Sequence, residues 1–483
     1  MVQPNGLFIF TDDQRFDTLS AMGNTEIDTP NIDRLAARGT LFTHAHIMGG
    51  TSGAVCMPSR AMLMTGRTLF HIEKQGQRIP PEHTTMPEQF RHAGYVTSHF
   101  GKWHQDKQSH ARSFSTGGKI FGFRRTKGWY EACNGHWHIP VHDFDPTGNY
   151  APDGGYSDPP IAPFENPFET VKEGGRHSAE VFSDAAIEFI SGYPSSEEAR
   201  AGKPFFCYLA HIAPHDPRQY PKRFLDQYPA ERVTLPPNCA IRHPFDNGDM
   251  LIRDERLAGF PRRQSEIIRH RADYYAMISH HDHWIGRVLA ALARRGMTDD
   301  TVVVFTSDHG LACGCHGLMG KENLYEHSAR VPLIVAGPGI PQGERHDREC
   351  LCGHYDFLPT LLTLLDLPVP ETVEGISTHE VILGQRDTVR DTICAAHRDC
   401  MRMARDARYK MIYYPHIDRT QLFDVLDDPE ETNDLLASWR RDAEGRCCPP
   451  PGTPEGPANS PDPAPCSTTF NNPLYSPAIP RAE

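Results

Sequence analysis

The sequence has no excess of basic residues. Its 483 residues include 49 Lys and Arg against 62 Asp and Glu, a formal net charge of −13. Proteins that bind nucleic acids or anionic membranes broadly need a basic surface, because attraction to phosphate supplies much of their affinity. The charge balance therefore excludes both classes of general polyanion binder, and neither a nucleic acid nor a membrane is expected as a partner.

Long hydrophobic runs are also missing. The first apolar stretch, residues 6–10, is too short for a membrane span or for the core of a signal peptide, and no basic residue precedes it. The 13 cysteines are odd in number and show no regular disulfide spacing, which is typical of a reducing compartment. The chain as written is expected to be cytoplasmic, or periplasmic or secreted if a leader has been removed.

Apolar segments alternate with helical patterns over residues 1–385. Four segments have the continuous apolar character of strands buried on both faces of a parallel sheet: residues 6–10, 205–210, 301–306 and 333–336. Between them, capping residues, proline and glycine indicate helices that start after Thr29, at residue 177 and at residue 267. This alternation predicts an α/β domain with a large, mostly parallel sheet, helices on both faces, and ligands at the carboxyl ends of the strands.

The rhythm changes after residue 385. Short strand-like pieces separated by polar turns predict a small antiparallel α+β subdomain over residues 386–445, covered by a helix at residues 429–436. Residues 446–483 hold 11 of the 42 prolines and are predicted to be a disordered tail. Residues 105–175, rich in Gly, Pro, His and aromatic residues, are expected to form functional loops.

Carboxylates follow two of the predicted strands. Asp12 and Asp13 come directly after the first, and Asp308 and His309 follow the strand at residues 301–306. Adjacent buried carboxylates repel each other unless a cation neutralises them, and oxygen ligands favour Ca²⁺, Mg²⁺ or Mn²⁺ over zinc. The two pairs predict a shared metal site at one sheet edge, although Asp12 and Asp13 alone are equally typical of a solvated loop.

A short helix is predicted to start near Cys56, because Pro58 suits a first turn and Gly66 suits a helix end. The amino end of a helix favours an anion and lowers the pKa of a cysteine there. Cys56 is therefore a candidate nucleophile with Arg60 beside it. The alternative, a small buried apolar cysteine, is the commoner role for this residue type.

These residues resemble a known signature. The segment Cys56-Met57-Pro58-Ser59-Arg60, followed by Thr65-Gly66-Arg67, is similar to the pattern that marks a cysteine for conversion to formylglycine in the sulfatase family of the alkaline phosphatase superfamily. Further segments match in family order: Asp12-Asp13, Gly101-Lys102-Trp103-His104, Pro214-His215, Asp308-His309 and Gly320-Lys321. The resemblance covers about residues 5–440 and implies an alkaline phosphatase-like fold.

The resemblance also implies a mechanism and a set of roles. Cys56 would become a formylglycine whose hydrate attacks the sulfur of a sulfate ester and then expels sulfate. Calcium, with Mn²⁺ or Mg²⁺ as alternatives, would be bound by Asp12, Asp13, residue 56, Asp308 and His309. The implied catalytic residues are Arg60, Lys102 and Lys321 as cations that hold the sulfate, His104 as the base, and His215 as the acid. A formylglycine-generating enzyme or an anaerobic sulfatase-maturing enzyme is the implied partner.

Two other functions remain open. A phosphonate monoester or phosphodiester hydrolase of the same superfamily can share the cysteine and the metal ligands, but the Gly101–His104 segment resembles the sulfatases. A catalytically inactive metal-binding relative is disfavoured, because every chemical position is filled.

His309 stands where many sulfatases have asparagine, which favours Mn²⁺-like ions. Separately, Cys313-Gly314-Cys315-His316 resembles half of a zinc site.

The substrate is less determined. Aromatic and histidine side chains in the predicted loops could stack on sugar rings or simply pack the loops: Trp129, Tyr130, His136, Trp137 and His138. Asp216 and Arg218 could contact hydroxyl groups beside the ester. We therefore expect a sulfated small molecule or saccharide as the substrate, with a sulfated carbohydrate favoured.

Overall fold

The computed structural model describes residues 3–122, 136, 140–148, 155–156, 176–347, 350–437, 440–441 and 447–448. Apart from residues 447–448, the predicted tail at 446–483 lies outside the described residues. So do four of the five loop residues considered for sugar stacking, since His136 alone is described.

Eighteen strands are numbered here in chain order. They are β1 (Asn5–Thr11), β2 (Gly39–His46), β3 (Gly49–Gly50), β4 (Val96–Lys102), β5 (Thr116–Phe121), β6 (Pro140–Val141), β7 (Gly155–Tyr156), β8 (Phe205–Ala210), β9 (Thr301–Ser307), β10 (Arg330–Ala336), β11 (Glu344–His346), β12 (Cys352–Gly353), β13 (Ile393–His397), β14 (Met401–Arg405), β15 (Tyr409–Tyr414), β16 (Arg419–Asp424), β17 (Arg440–Arg441) and β18 (Cys447–Cys448).

A nine-stranded sheet forms the centre of the molecule, in the order β11-β2-β10-β9-β1-β8-β4-β5 with β12 also paired to β2. Strands β9, β1, β8, β4 and β5 run parallel to one another. The predicted mostly parallel sheet is thus confirmed. Strand β10 corrects one detail, because it runs antiparallel to both β9 and β2. Its apolar run is equally compatible with either direction, since both faces are covered.

Helices cover both faces of this sheet. They span Pro30–Ala37, Cys56–Thr65, Met86–His92, Lys107–Ser113, Ser178–Gly192, Glu197–Arg200, Lys222–Leu225, Gln264–Arg294, Glu326–Ala329, Phe357–Leu364 and His379–Ile382. Alternate residues of β1 enter different cores: Phe8 and Phe10 join one hydrophobic cluster, Leu7 and Ile9 the other. Among the described residues, every helix is too short or too polar to cross a bilayer.

Two central strands were not predicted, and both contain buried polar residues. Strand β4 holds Thr97, Ser98 and His99, all fully buried. Two of these residues have partners for a side-chain group: Thr97 Oγ1 donates to the Ser113 carbonyl at 3.0 Å, and His99 Nδ1 lies 2.8 Å from His110 Nε2. Strand β2 likewise buries Thr40, Thr43 and His46. Because the apolar run is broken in each, hydrophobicity alone does not reveal these strands.

The second sheet has the order β16-β15-β14-β13-β3. Strands β13 to β16 form the predicted antiparallel meander, and β3 joins it from the amino-terminal part of the chain by pairing in parallel with β13. The helix predicted at residues 429–436 is absent. Here Asp428 accepts a hydrogen bond from the Asn433 amide, and Asp434 accepts one from Leu422. Such local side-chain bonds compete with helical ones.

A buried charge cluster joins the two sheets and yields a stability prediction. Lys410 on β15 is fully buried, with Nζ 2.9 Å from Glu326 Oε1 and 2.7 Å from Glu431 Oε1. Lys410→Met should lower the free energy of unfolding by about 3–5 kcal/mol, because it leaves the buried Glu431 carboxylate without its cation, whereas Glu326 keeps Arg405 at 2.7 Å. Urea unfolding measures this loss. The double variant Lys410→Met/Glu431→Gln should recover part of it, and equal stability of Lys410→Met and the wild type would contradict the prediction.

Candidate active site

The parallel pairing of β1 and β9 builds the predicted acidic edge. Thr11 lies opposite Ser307, so the two acidic pairs leave the sheet side by side. The Asp13 amide donates to Asp308 Oδ1 at 3.1 Å, and the Asp308 amide donates to the Thr11 carbonyl at 3.2 Å. The structure therefore brings Asp12, Asp13 and Asp308 to one place at the carboxyl ends of the strands, as the sequence predicted.

Four buried side chains converge there as candidate metal ligands. One ligand atom from each of Asp12, Cys56, Asp308 and His309 lies within 4.8 Å of the others, and Asp13 Oδ1 lies 3.2 Å from His309 Nε2. Asp12 Oδ1 is buried and accepts no hydrogen bond, which is costly for a carboxylate oxygen unless a cation is its partner. The oxygen-rich donor set therefore fits a hard divalent cation.

Cys56 is the first residue of the helix Cys56–Thr65 and is almost fully buried. Lys321 Nζ lies 3.9 Å from its sulfur, and the His104 imidazole hydrogen-bonds it. Burial raises the pKa of the Cys56 thiol, but Lys102 and Lys321 outweigh burial and hold that pKa well below its usual value. The position thus favours a negative group on residue 56.

Arg60, one helical turn further on, is fully buried and faces the acidic edge. Its Nη2 lies 2.8 Å from Asp12 Oδ2, its Nε donates to Asp308 Oδ2 at 3.1 Å, and its Nη1 donates to the Lys102 carbonyl at 3.0 Å. Because each nitrogen of the guanidinium has a protein acceptor, Arg60 orients the carboxylates and adds charge to the site. The structure does not give it a group free to hold a sulfate directly.

Two lysines pair with different carboxylates of the acidic edge. Lys102, the last residue of β4, pairs with Asp12, and Lys321 Nζ lies 2.7 Å from Asp13 Oδ1. Lys321 also lies 3.3 Å from Asp254 Oδ2. Asp254 was missed by the sequence analysis because it lies in a long irregular segment with no motif around it. Its burial and its contact show that it holds the Lys321 ammonium in place.

The two predicted catalytic histidines also reach this site. His104 follows β4 and adopts a positive φ of 75°, which directs its ring toward Cys56. His215 Nε2 lies 4.0 Å from Asp13 Oδ2, and its Nδ1 lies 2.7 Å from the Asp216 carbonyl oxygen. His211, which directly follows β8 and is four residues before His215, is instead buried against Ser183 with a 3.1 Å contact. The geometry therefore favours His215.

The carboxylates do not share one electrostatic environment. Burial raises the pKa of Asp12, but Lys102 and Arg60 reverse this effect and hold it well below its usual range. Burial raises the pKa of Asp13 to about 7 despite Lys321 and His309. Burial lowers the pKa of His309, but Asp308 reverses this effect and raises it to about 10. Asp12 is therefore firmly ionised, Asp13 is partly protonated near pH 7, and His309 holds a proton that a cation would displace.

Two further sequence interpretations are corrected. Arg218 is buried, and its Nη1 donates to the Pro214 carbonyl at 2.5 Å, so it does not face a substrate. Asp216 forms a two-pronged ion pair with Arg253 at 2.8 and 2.9 Å. In the half zinc site, Cys315 Sγ accepts from Arg15 and His316 stacks on Tyr325. These side chains do not converge, and no candidate metal cluster among the described residues contains them.

Two family models match the chain. The sulfatase model matches residues 4–367, and a model described as the carboxyl-terminal part of N-sulphoglucosamine sulphohydrolase matches residues 314–443. The first match alone covers more than half of the chain, and it contains every residue of the site described above.

Individual proteins agree with this match. An arylsulfatase of Clostridium perfringens is 27% identical over 471 residues, covering 90% of this chain and 91% of the relative. An N-acetylglucosamine-6-O-sulfatase of Bacteroides thetaiotaomicron is 26% identical, covering 90% and 83%. The crystal structure of a phosphonate monoester hydrolase of Agrobacterium radiobacter shares the fold, with a TM-score of 0.68, 22% identity and 92% coverage of both chains. The chain belongs to the sulfatase family, the sulfuric ester hydrolases of the alkaline phosphatase superfamily.

Proposed function

We propose that this protein removes sulfate from a sulfated carbohydrate. The reaction would use a bound divalent cation, which we propose is calcium, and a formylglycine that is made from Cys56. The observation that carries the proposal is the convergence of Asp12, Cys56, Asp308 and His309 within 4.8 Å at the carboxyl edge of the sheet. A carbohydrate is proposed because one similar protein is an N-acetylglucosamine-6-O-sulfatase. A maturing enzyme that oxidises Cys56 is the partner this mechanism requires.

The formylglycine and the divalent cation would supply different parts of the chemistry. A formylglycine at position 56 supplies an aldehyde hydrate as the nucleophile in place of a thiol. A divalent cation held by Asp12, Asp13, Asp308 and His309 supplies Lewis-acid polarisation of the sulfate oxygens.

The remaining side chains are assigned by their positions. Lys102 and Lys321 both act electrostatically on Cys56 and would neutralise the sulfate of the bound ester; such preorganised charge is commonly the largest catalytic contribution. Arg60 keeps Asp12 and Asp308 oriented through the contacts described above. These groups concentrate positive charge in one pocket of an acidic protein.

Proton transfers are assigned to the histidines and Lys321. His104, which contacts the sulfur of Cys56, is placed to accept a proton from a hydroxyl on residue 56. His215, whose Nε2 lies 4.0 Å from Asp13 Oδ2, is proposed to deliver the proton to the departing alcohol together with Lys321. A separate general acid and general base suit a two-step displacement in which the alcohol leaves first and sulfate second.

A substrate comparison tests the proposal. Protein co-expressed with a maturing enzyme is incubated with sulfated monosaccharides, 4-nitrophenyl sulfate, a phosphodiester and a phosphonate monoester. We expect sulfate release from a sulfated sugar at the highest kcat/KM of the set. Faster hydrolysis of the phosphodiester or the phosphonate than of every sulfate ester would contradict the proposal and favour the alternative hydrolase.

Metal binding is expected to stabilise the fold as well as to support turnover. A cation bound only by the folded state adds about 2.7 kcal/mol when its concentration is about 100 times the dissociation constant. The unfolding temperature of chelator-treated protein should therefore rise on addition of Ca²⁺, with Mg²⁺ and Mn²⁺ compared in parallel.

Two variants locate this effect. Asp308→Asn should abolish the response to the cation, whereas Asp282→Asn, which changes a buried carboxylate hydrogen-bonded to Asn31, should retain it. Equal responses from both variants would show that the cation binds elsewhere.

A further inference from the structure

A cavity of about 1030 Å³ opens beside the proposed nucleophile. Its wall includes His104, which contacts Cys56, and Met57, the next residue of the same helix. Pockets for small molecules have volumes of roughly 300–1,000 Å³, so this space can hold at least one sugar ring beyond the one that carries the ester.

The lining of this cavity has one dominant sign of charge. Five basic side chains contribute to it: Lys74, Arg78, Arg91, Lys107 and Arg112. The carboxylate in the lining, Asp106, is already used, because it accepts hydrogen bonds from the amides of Ile79 and Ser109 at 2.9 and 2.8 Å. In a protein with a net charge of −13, such a concentration of cations favours an anionic ligand.

The five cations are not equivalent. Arg112 pairs with Glu88 and donates to the carbonyls of Ile79 and Pro80, and Arg91 donates to the Arg112 carbonyl at 3.1 Å. These two arginines therefore stabilise the cavity wall through hydrogen bonds within the protein. Lys74 and Arg78 are exposed, and Arg78 has its ion-pair partner, Glu73, at a distance of 4.0 Å.

Lys74 and Arg78 belong to a turn that packs against the start of the Cys56 helix. Lys74 and Gln75 have φ angles of 44° and 59°, an unusual conformation for residues with side chains. At Gly76 an added Cβ would lie 2.7 Å from the Met57 carbonyl oxygen, so the turn touches this helix backbone directly. The turn thus fixes the backbone from which Lys74 and Arg78 extend, close to the start of the Cys56 helix.

We propose that this cavity is a second anion subsite, in which Lys74 and Arg78 bind a carboxylate or sulfate group on the sugar next to the one that is desulfated. The inference rests on the proposed function and narrows it from sulfated carbohydrates in general to oligosaccharides that carry more than one anionic group.

Binding measurements on protein made without a maturing enzyme test the subsite, because that protein keeps the Cys56 thiol and does not turn the probes over. Calorimetry compares three probes: N-acetylglucosamine 6-sulfate, the same sugar joined to a hexuronic acid, and the same sugar joined to a sulfated hexose. The second anion should raise affinity about tenfold, as expected for two partly exposed ion pairs. The last two probes show whether the carboxylate or the sulfate is preferred.

The variant Lys74→Asn/Arg78→Gln removes both cations and keeps a residue that tolerates positive φ at position 74. It should lose the tenfold preference and bind the monoanionic probe within about twofold of wild type. Arg294→Gln/Arg295→Gln makes the same charge change at exposed residues before β9, on the sheet edge opposite the site, and should keep the preference.

The subsite proposal is overturned if wild-type protein binds all three probes with equal affinity, or binds none of them. It is also overturned if the Lys74/Arg78 variant retains the preference for probes with a second anion. The proposed function fails separately, if matured protein releases no sulfate from any ester while the anion preference remains.

Discussion

Cys56→Ala should reduce sulfate release by at least about 10⁴-fold, because removal of a covalent nucleophile commonly costs this much or more. Cys56 begins the helix at the centre of the acidic cluster, and no other cysteine contributes to that cluster among the described residues. The measurement is kcat/KM on the best sulfate ester, with the metal ion present in excess.

A matched variant and a mass measurement separate chemistry from folding. Cys394→Ala alters a partly exposed cysteine on β13 and should leave kcat/KM within about twofold of wild type. Peptide mass spectrometry of the Cys56 segment should show an aldehyde in active protein and a thiol in protein made without the maturing enzyme. Full activity in Cys56→Ala, or in protein that retains the thiol, would exclude the formylglycine mechanism.

Acid should unfold this protein steeply below about pH 6. Burial lowers the pKa of His110, His211 and His270 to about 3 each, while the unfolded chain binds these protons near pH 6.5. Since the unfolded state then carries more protons, stability falls as the pH drops below 6.5. At pH 5 each such histidine lowers the free energy of unfolding by about 2 kcal/mol. Three of them together approach the whole net stability of an ordinary domain.

Urea unfolding between pH 8 and pH 5, in the presence of a chelator so that metal loss does not contribute, measures this slope. His211→Gln should reduce it by about 1.4 kcal/mol per pH unit between pH 5 and pH 6, since one proton fewer is taken up on unfolding. His92→Gln changes an exposed histidine and should leave the slope as it is. Burial raises the pKa of Asp282 to about 6, so the folded state binds this proton more tightly than the unfolded state and Asp282 stabilises the fold as the pH falls. A flat stability profile would therefore mean that carboxyl groups of this kind dominate the pH dependence.

The acidic edge was predictable because its signals are local. Asp12 and Asp308 each follow a run of apolar residues, and the parallel geometry of such strands determines that their ends meet. Cys56 was identifiable because proline and glycine punctuate its helix and because the surrounding motif resembles a family signature. Each of these inferences needed only a few adjacent residues.

Other parts depend on contacts distant in sequence. Strand β4 was missed because Thr97 and Ser98 have polar side chains whose acceptable burial depends on the structure around them. The direction of β10 depends on its neighbours, and its own residues do not specify it. Asp254 is assigned by one contact to Lys321, 67 positions later in the chain, and nothing adjacent to it in sequence indicates that contact.

The pairing of β3 with β13 also bears on when Cys56 can be modified. Gly49 packs so closely on β13 that an added Cβ would lie 2.1 Å from the Ala396 carbonyl oxygen, and the Arg398 amide donates to the Gly50 carbonyl at 2.7 Å. During synthesis, the strand just before Cys56 has no partner until residues 393–397 have been made. The cysteine is then enclosed, at 3% exposure. Under the proposed function, a maturing enzyme would therefore reach Cys56 more readily before β3 and β13 pair than afterwards.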